Sequence, residues 1–231
     1  MSELLSLYYI NDKKEKLNIF IDDLIIDGYY LGENWTMIKD RAVPVYEKYI
    51  AQGINRAKPV LAQIYTEKKD MEMALSIYES MLPSKNNNIT LNIGDLYNRT
   101  QKYDKTLILI QNSGIDLNEE PKVSNDYQGY DSQSYNISMM RLGAYAYYKL
   151  GDLDKAKTLY SFLSNSYDYG VSSDNEDSFY YPDKIYLLDI YKKTNAEDKY
   201  EELEKQLTQS PSFFSFEDHG MKQALADYYA S

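Results

Sequence analysis

Four times along this chain a tyrosine is followed nine residues later by a residue that suits a helix: Tyr65 and Ala74, Tyr97 and Thr106, Tyr147 and Ala156, Tyr191 and Tyr200. Each copy sits inside a pair of short helical patterns joined by a tight turn. Units of that size bury their apolar faces only by stacking on neighbours. The recurrence therefore restricts the fold to an all-α stack of helix pairs, and a stack of helix pairs is a binding scaffold.

The copy in 137–165 shows how the pattern works. Met140, Ala144 and Tyr147 share one helical face, and Ala156, Leu159, Tyr160 and Leu163 follow the i, i+3, i+4, i+7 spacing of a second. Between them lies Lys149-Leu150-Gly151-Asp152-Leu153-Asp154, where Gly151 can take the left-handed conformation that closes a helix and the aspartates favour the positive end of the next. The small Ala144 and Ala156 let the helices approach, while Tyr147 and Tyr160 fill the space around them. The same frame fits 55–83 with Leu61, Ala62, Tyr65, Ala74, Ile77, Tyr78 and Met81, Pro59 falling in a first helical turn. It fits 87–114 with Ile93, Gly94, Tyr97, Thr106, Leu109 and Ile110, and 181–210 with Leu187, Leu188, Tyr191, Tyr200, Leu203 and Leu207. Seven residues after each tyrosine comes an acid, namely Glu72, Asp104, Asp154 and Asp198, in the first turn of the second helix.

These residues resemble the tetratricopeptide repeat, a helix-turn-helix unit of about 34 residues. The nearest copy is Met140-x3-Ala144-x2-Tyr147-x3-Gly151-Asp152-x-Asp154-x-Ala156-x3-Tyr160. Tyr200 takes the small-residue position of the last copy, and Lys69, Gln101 and Asn195 replace the turn glycine. The resemblance implies a right-handed α-solenoid, with repeats at about 55–86, 87–120, 137–166 and 181–210 inside one continuous domain. Residues 1–54, with helical periodicity in 15–31 and 35–52, read as N-terminal capping helices or a degenerate repeat. In 211–231, Ser215-Phe216-Glu217-Asp218 reads as the capping box of a closing helix, whose face Met221, Ala224, Leu225 and Tyr228 would cover the last repeat.

Successive repeat tyrosines lie 32, 50 and 44 residues apart, so the second and third intervals carry insertions at about 119–136 and 165–181. Both are rich in Asp, Ser, Asn, Gly and Tyr and read as loops. As adaptable contact surfaces they would suit recognition; as long solvated connections they need no role.

Composition narrows the function classes. The formal charge of −11 and the lack of a basic run argue against nucleic acid. With no cysteine there is neither disulfide nor thiolate chemistry. No stretch of 18 apolar residues occurs, so no membrane span is expected in this chain. Met1–Lys16 lacks the features of a secretory signal, which favours a soluble, cytoplasmic setting, although a removed signal or anchor would leave no trace. His219 is the single histidine, and its position suits the first turn of the closing helix better than a catalytic or metal site. The run Asp174, Asn175, Glu176, Asp177 lacks the alternating ligands of a calcium loop. No phosphate loop or nucleophile elbow is present, and the expectation is a protein that is not an enzyme and holds neither cofactor nor metal.

Proteins that this chain resembles hold ligands along the concave surface lined by the first helix of each repeat. On that stripe lie Arg56, Gln63, Thr66 and Glu67; Asp95, Asn98 and Arg99; Arg141, Tyr145, Tyr148 and Lys149; and Asp189, Lys192 and Lys193. Six of these are basic and three acidic. Such a trough suits a peptide or protein partner carrying carboxylates, held by guanidinium groups and amides. The expected function is a protein-interaction adaptor. Two alternatives stand beside it: a scaffold or sensory part of a larger protein, and a helical-repeat carrier whose tyrosine-rich loops close over a small ligand or glycan. The sequence says nothing of oligomeric state.

Overall fold

The computed structural model describes residues 35–118, 127–165, 183–209 and 228–229, and among them every regular element is helical. In chain order these are α1 (Trp35–Ala51), a 3-10 turn (Asn55–Ala57), α2 (Lys58–Glu67), α3 (Met71–Glu79), α4 (Asn87–Arg99), α5 (Tyr103–Asn112), α6 (Tyr127–Leu150), α7 (Leu153–Asn165), α8 (Asp183–Lys193) and α9 (Glu197–Gln209). The chain divides into two compact units, Met1–Lys85 and Asn86–Ser231. The division falls between the first and second expected repeats.

In the first unit α2 and α3 form an antiparallel pair with Ala62 and Ala74 fully buried between them. Ala42 and Tyr46 of α1 join Ala57, Leu61 and Ile64 in its core. In the second unit α4 pairs with α5, α6 with α7 and α8 with α9, while α4 and α5 both meet α6 and α7 meets α8. Its main core draws on α6 through α9: Met140, Ala144, Ala156, Leu159, Tyr160, Leu163, Leu188, Ile190 and Leu203 are among its members. Gly94 serves the contact between α4 and α6, since a Cβ there would stand 2.7 Å from Leu142 Cδ1.

What the tyrosine spacing encodes is a turn. At all four pair junctions the residue four after the tyrosine has positive φ: Lys69 at 62°, Gln101 at 59°, Gly151 at 84° and Asn195 at 52°. The next residue, Asp70, Lys102, Asp152 or Ala196, donates its N–H to the carbonyl of Tyr65, Tyr97, Tyr147 or Tyr191 at 2.9, 2.7, 3.0 and 3.0 Å. The positive-φ residue itself donates to Thr66, Asn98, Tyr148 or Lys192. These are the two bonds of a Schellman closure, which satisfies the last carbonyls of the first helix. The second helix then starts at once, because Ala74, Thr106, Ala156 and Tyr200 donate its first full-turn bond to the residue that closed the turn. Nine residues is the distance from closing carbonyl to opening amide.

The tyrosine rings have a second use. Lys105, Lys155 and Lys199, each eight residues further on, hold their ammonium groups 5.3, 4.9 and 5.9 Å from the ring centres of Tyr97, Tyr147 and Tyr191. In the first pair that position is Met73, which is exposed.

One expectation changes, and another falls almost wholly outside the described residues. Residues 127–136 belong to α6 rather than to a loop, so that helix runs for 24 residues. Extending a packed helix needs no new nucleus, and Tyr135 packs beside Ile110, Met139 and Leu142, which anchors the added turns. Of the closing segment only Tyr228 and Tyr229 are described: Tyr228 packs on the core, and Tyr229 donates a 2.7 Å hydrogen bond to Glu204. Met221, Ala224, Leu225, His219, the 165–181 insertion beyond Asn165 and the 1–34 segment lie outside the described residues.

Candidate functional site

Along α6, Arg141, Tyr145, Tyr148 and Lys149 follow i, i+4, i+7, i+8 spacing and share one stripe. A facing stripe on α8 carries Asp183, Tyr186, Asp189 and Lys193. Arg141 Nε donates to Asp183 Oδ2 at 2.7 Å, with both residues buried. Tyr148 donates its hydroxyl to Asp189 Oδ2 at 2.6 Å and accepts from Lys193 Nζ at 2.8 Å, while Lys193 and Asp189 themselves pair at 2.5 Å. Three polar groups thus close a ring between the helices.

Tyr186 sits at the centre of the stripe. Its ring lies 5.5 Å from Tyr145 and 5.1 Å from Tyr148, and stacks on the buried Tyr160 of α7 at 5.3 Å. Tyr103 of α5 reaches Tyr145 edge-on at 6.1 Å. Each such aromatic pair adds about 0.5–1.5 kcal/mol beyond area burial. Packing the phenols together changes their acidity. Burial, reinforced by the neighbouring Tyr103 and Tyr148, pushes Tyr145 up to about 12. Burial raises Tyr186 further, and burial with the bond to Asp189 raises Tyr148. Burial works against the Lys193 ammonium, but its bonds to Asp189 and Tyr148 outweigh that and raise its pKa.

The residues expected to line a groove separate into three sets. Tyr145, Tyr148, Lys149, Asp189 and Lys193 come together between α6 and α8, and on α4 the pair Asp95 and Arg99 stands 3.4 Å apart. Lys192 turns instead over the Tyr228 ring, 5.4 Å from its centre. Gln63 belongs to the first unit, donating to Glu67 at 3.4 Å, and the side chain of Arg56 lies outside the described residues.

Asn98 and Arg141 are corrections. Asn98 is 2% exposed; its amide donates to the Leu142 carbonyl at 3.0 Å and accepts from the Thr106 hydroxyl at 2.8 Å. Its amide ties α4 to both α5 and α6, a buried use that leaves it no access to a ligand. Arg141 is committed to Asp183. The expected positive trough is correspondingly reduced, because Arg99, Arg141 and Lys193 each face a carboxylate of this chain. Asp183, Tyr186 and Tyr103 were missing from the expected site. The Asp183-x2-Tyr186-x2-Asp189 spacing, which places three polar groups on one helical stripe, is the signal that could have found the first two.

No group of acids and histidines among the described residues is arranged to hold a metal ion. Nor is any helix among them long and apolar enough to cross a membrane. What remains accessible is the polar edge of α4, α6 and α8, with Arg99, Tyr148, Lys149 and Lys193 at least partly exposed on it. Compared with known proteins, the chain matches no protein-family model and no curated protein.

Proposed function

We propose that this chain is a tetratricopeptide-like right-handed α-solenoid that works as a protein-interaction module, and that the first helices of its second unit, α4, α6 and α8, offer the surface that takes a peptide or protein partner. The observation that carries the reading is the identity of the four turns. Within the second unit, a backbone unit repeated with the same closure gives α4, α6 and α8 the same register, and so lays equivalent side chains along one edge. Stacked first helices with matched edges suit an extended segment better than a compact small molecule.

The state of the ionisable groups favours binding over catalysis. A general acid or base is useful when its pKa is poised near working pH. Here Tyr145, Tyr148 and Lys193 are all moved upward, away from neutrality. A glycan carrier would want open aromatic faces, whereas Tyr145 is 7% exposed and packed edge-on between other tyrosines.

The test is site-specific photo-crosslinking of the full chain in lysate of the source organism. A photoreactive residue at Tyr148 should trap a partner, and one at Ile108, exposed on α5, should not. Equal trapping at both positions would defeat the assignment. Charge reversal at Arg141 is unsuitable here, since it would place two acids together in a buried site.

A further inference from the structure

An interacting pair recurs at one register in all four first helices, linking the second residue after the repeat tyrosine with the residue one turn before it. These pairs are Gln63 with Glu67, Asp95 with Arg99, Tyr145 with Lys149, and Asp189 with Lys193. In α4 and α8 the cation is met by an acid on its own helix. In α6 a tyrosine stands where that acid would be.

Lys149 is exposed, with its ammonium 5.3 Å from the centre of the Tyr145 ring and 5.7 Å from that of Tyr148. Ring faces attract an ammonium through their quadrupole and leave its charge intact. Because both phenols titrate above their ordinary value, neither supplies a counterion at neutral pH. Asp189, on the facing helix, is engaged by Tyr148 and Lys193. No carboxylate among the described residues pairs with Lys149. Among the described residues the middle helix therefore holds one positive charge that no carboxylate meets, braced by two rings, between two neighbours whose cations at this register are each met by an acid.

We infer that Lys149 is the point where the face of α4, α6 and α8 takes a side-chain carboxylate from an extended acidic segment of a partner protein. The inference rests on the peptide-binding reading and adds its chemistry. A chain terminus is the weaker candidate: carboxyl termini are held by nests of backbone N–H groups, and Lys149 stands at the carbonyl end of α6. The overall charge of −11 does not forbid an acidic ligand. Beyond about 8 Å it is screened at physiological ionic strength, so the local charge decides.

The experiment uses the isotopically labelled full chain and three peptides: hexaglutamate blocked at both ends, hexaglutamine blocked at both ends, and hexaglutamine with a free C-terminus. At about 1 mM, blocked hexaglutamate should shift the Lys149 side-chain ammonium resonance. Lys149→Gln should weaken that peptide by about threefold to fivefold, the upper part of the range of exposed ion pairs, and leave blocked hexaglutamine unaffected. Lys149→Arg should restore the affinity, and Lys157→Gln, which removes the same charge from α7, should change it by less than about twofold. Equal weakening by Lys157→Gln would mean diffuse attraction and overturn the proposal. So would a response confined to the free-terminus peptide, or no response of Lys149 to any of the three. Those failures leave partner trapping at Tyr148 standing, whereas loss of that trapping removes the peptide-binding reading itself.

Discussion

Arg141 and Asp183 show what a buried pair does to the reading of a single residue. With both side chains nearly sealed from water, removing one leaves an uncompensated charge. Arg141→Met should therefore lower stability by about 3–5 kcal/mol, and adding Asp183→Leu should recover most of the loss. Urea unfolding of the single and double variants checks this; a double variant no more stable than the single would refute it. The phenols make a second prediction. Tyr145 titrates at about 12 rather than its ordinary 10.0, so between those values the folded state keeps a proton that the unfolded chain releases. Stability is full below the lower value and falls as pH rises through the window, by up to about 3 kcal/mol from this group. Tyr145→Phe should flatten the decline, followed by denaturant midpoints at stepped alkaline pH. Both side chains were legible as stripe residues, but not as buried ones. Periodicity tells which face a residue shares, and the partner of Arg141 lies 42 residues away on another helix.

Among the helices, the four turns invite direct comparison, because the backbone is held constant while the residue varies. Gly151 adopts positive φ without a Cβ penalty, whereas Lys69 and Gln101 hold the same conformation against it. Lys69→Gly and Gln101→Gly should each stabilise by about 0.5–1 kcal/mol, and Gly151→Ala should destabilise by about 1–2 kcal/mol. Asn195→Gly should gain less, since asparagine tolerates this region. Thermal and urea unfolding decide, and a loss from Lys69→Gly would contradict the strain argument. The pairs themselves were readable from the tyrosine, the small partner nine residues on and the acid at the start of the second helix. The length of α6 was not. Tyr127–Asn136 has the composition of a loop, and only attachment to a packed helix makes it helical.

At the scale of the whole molecule the two compact units are the organising fact. Residues 86–231 contain three complete helix pairs and the larger core. Expressed alone, that fragment should keep its helix content and unfold in one cooperative transition, as circular dichroism during denaturant titration would reveal; a non-cooperative melt would count against an independent core. The sequence by itself determined the all-α class, the pairing of neighbouring helices and the turn between them. Those depend on contacts a few residues apart, which leave a period in the chain. Only the tertiary structure decided that Asn98 and Arg141 turn inward, that Tyr186 joins three other tyrosines, and that Lys149, unlike the cations Arg99 and Lys193 at the same register, meets two tyrosine rings rather than a carboxylate among the described residues. The i−4 residue could be read from the chain, but its meaning depended on which neighbouring carboxylates were already engaged, and those come from other helices.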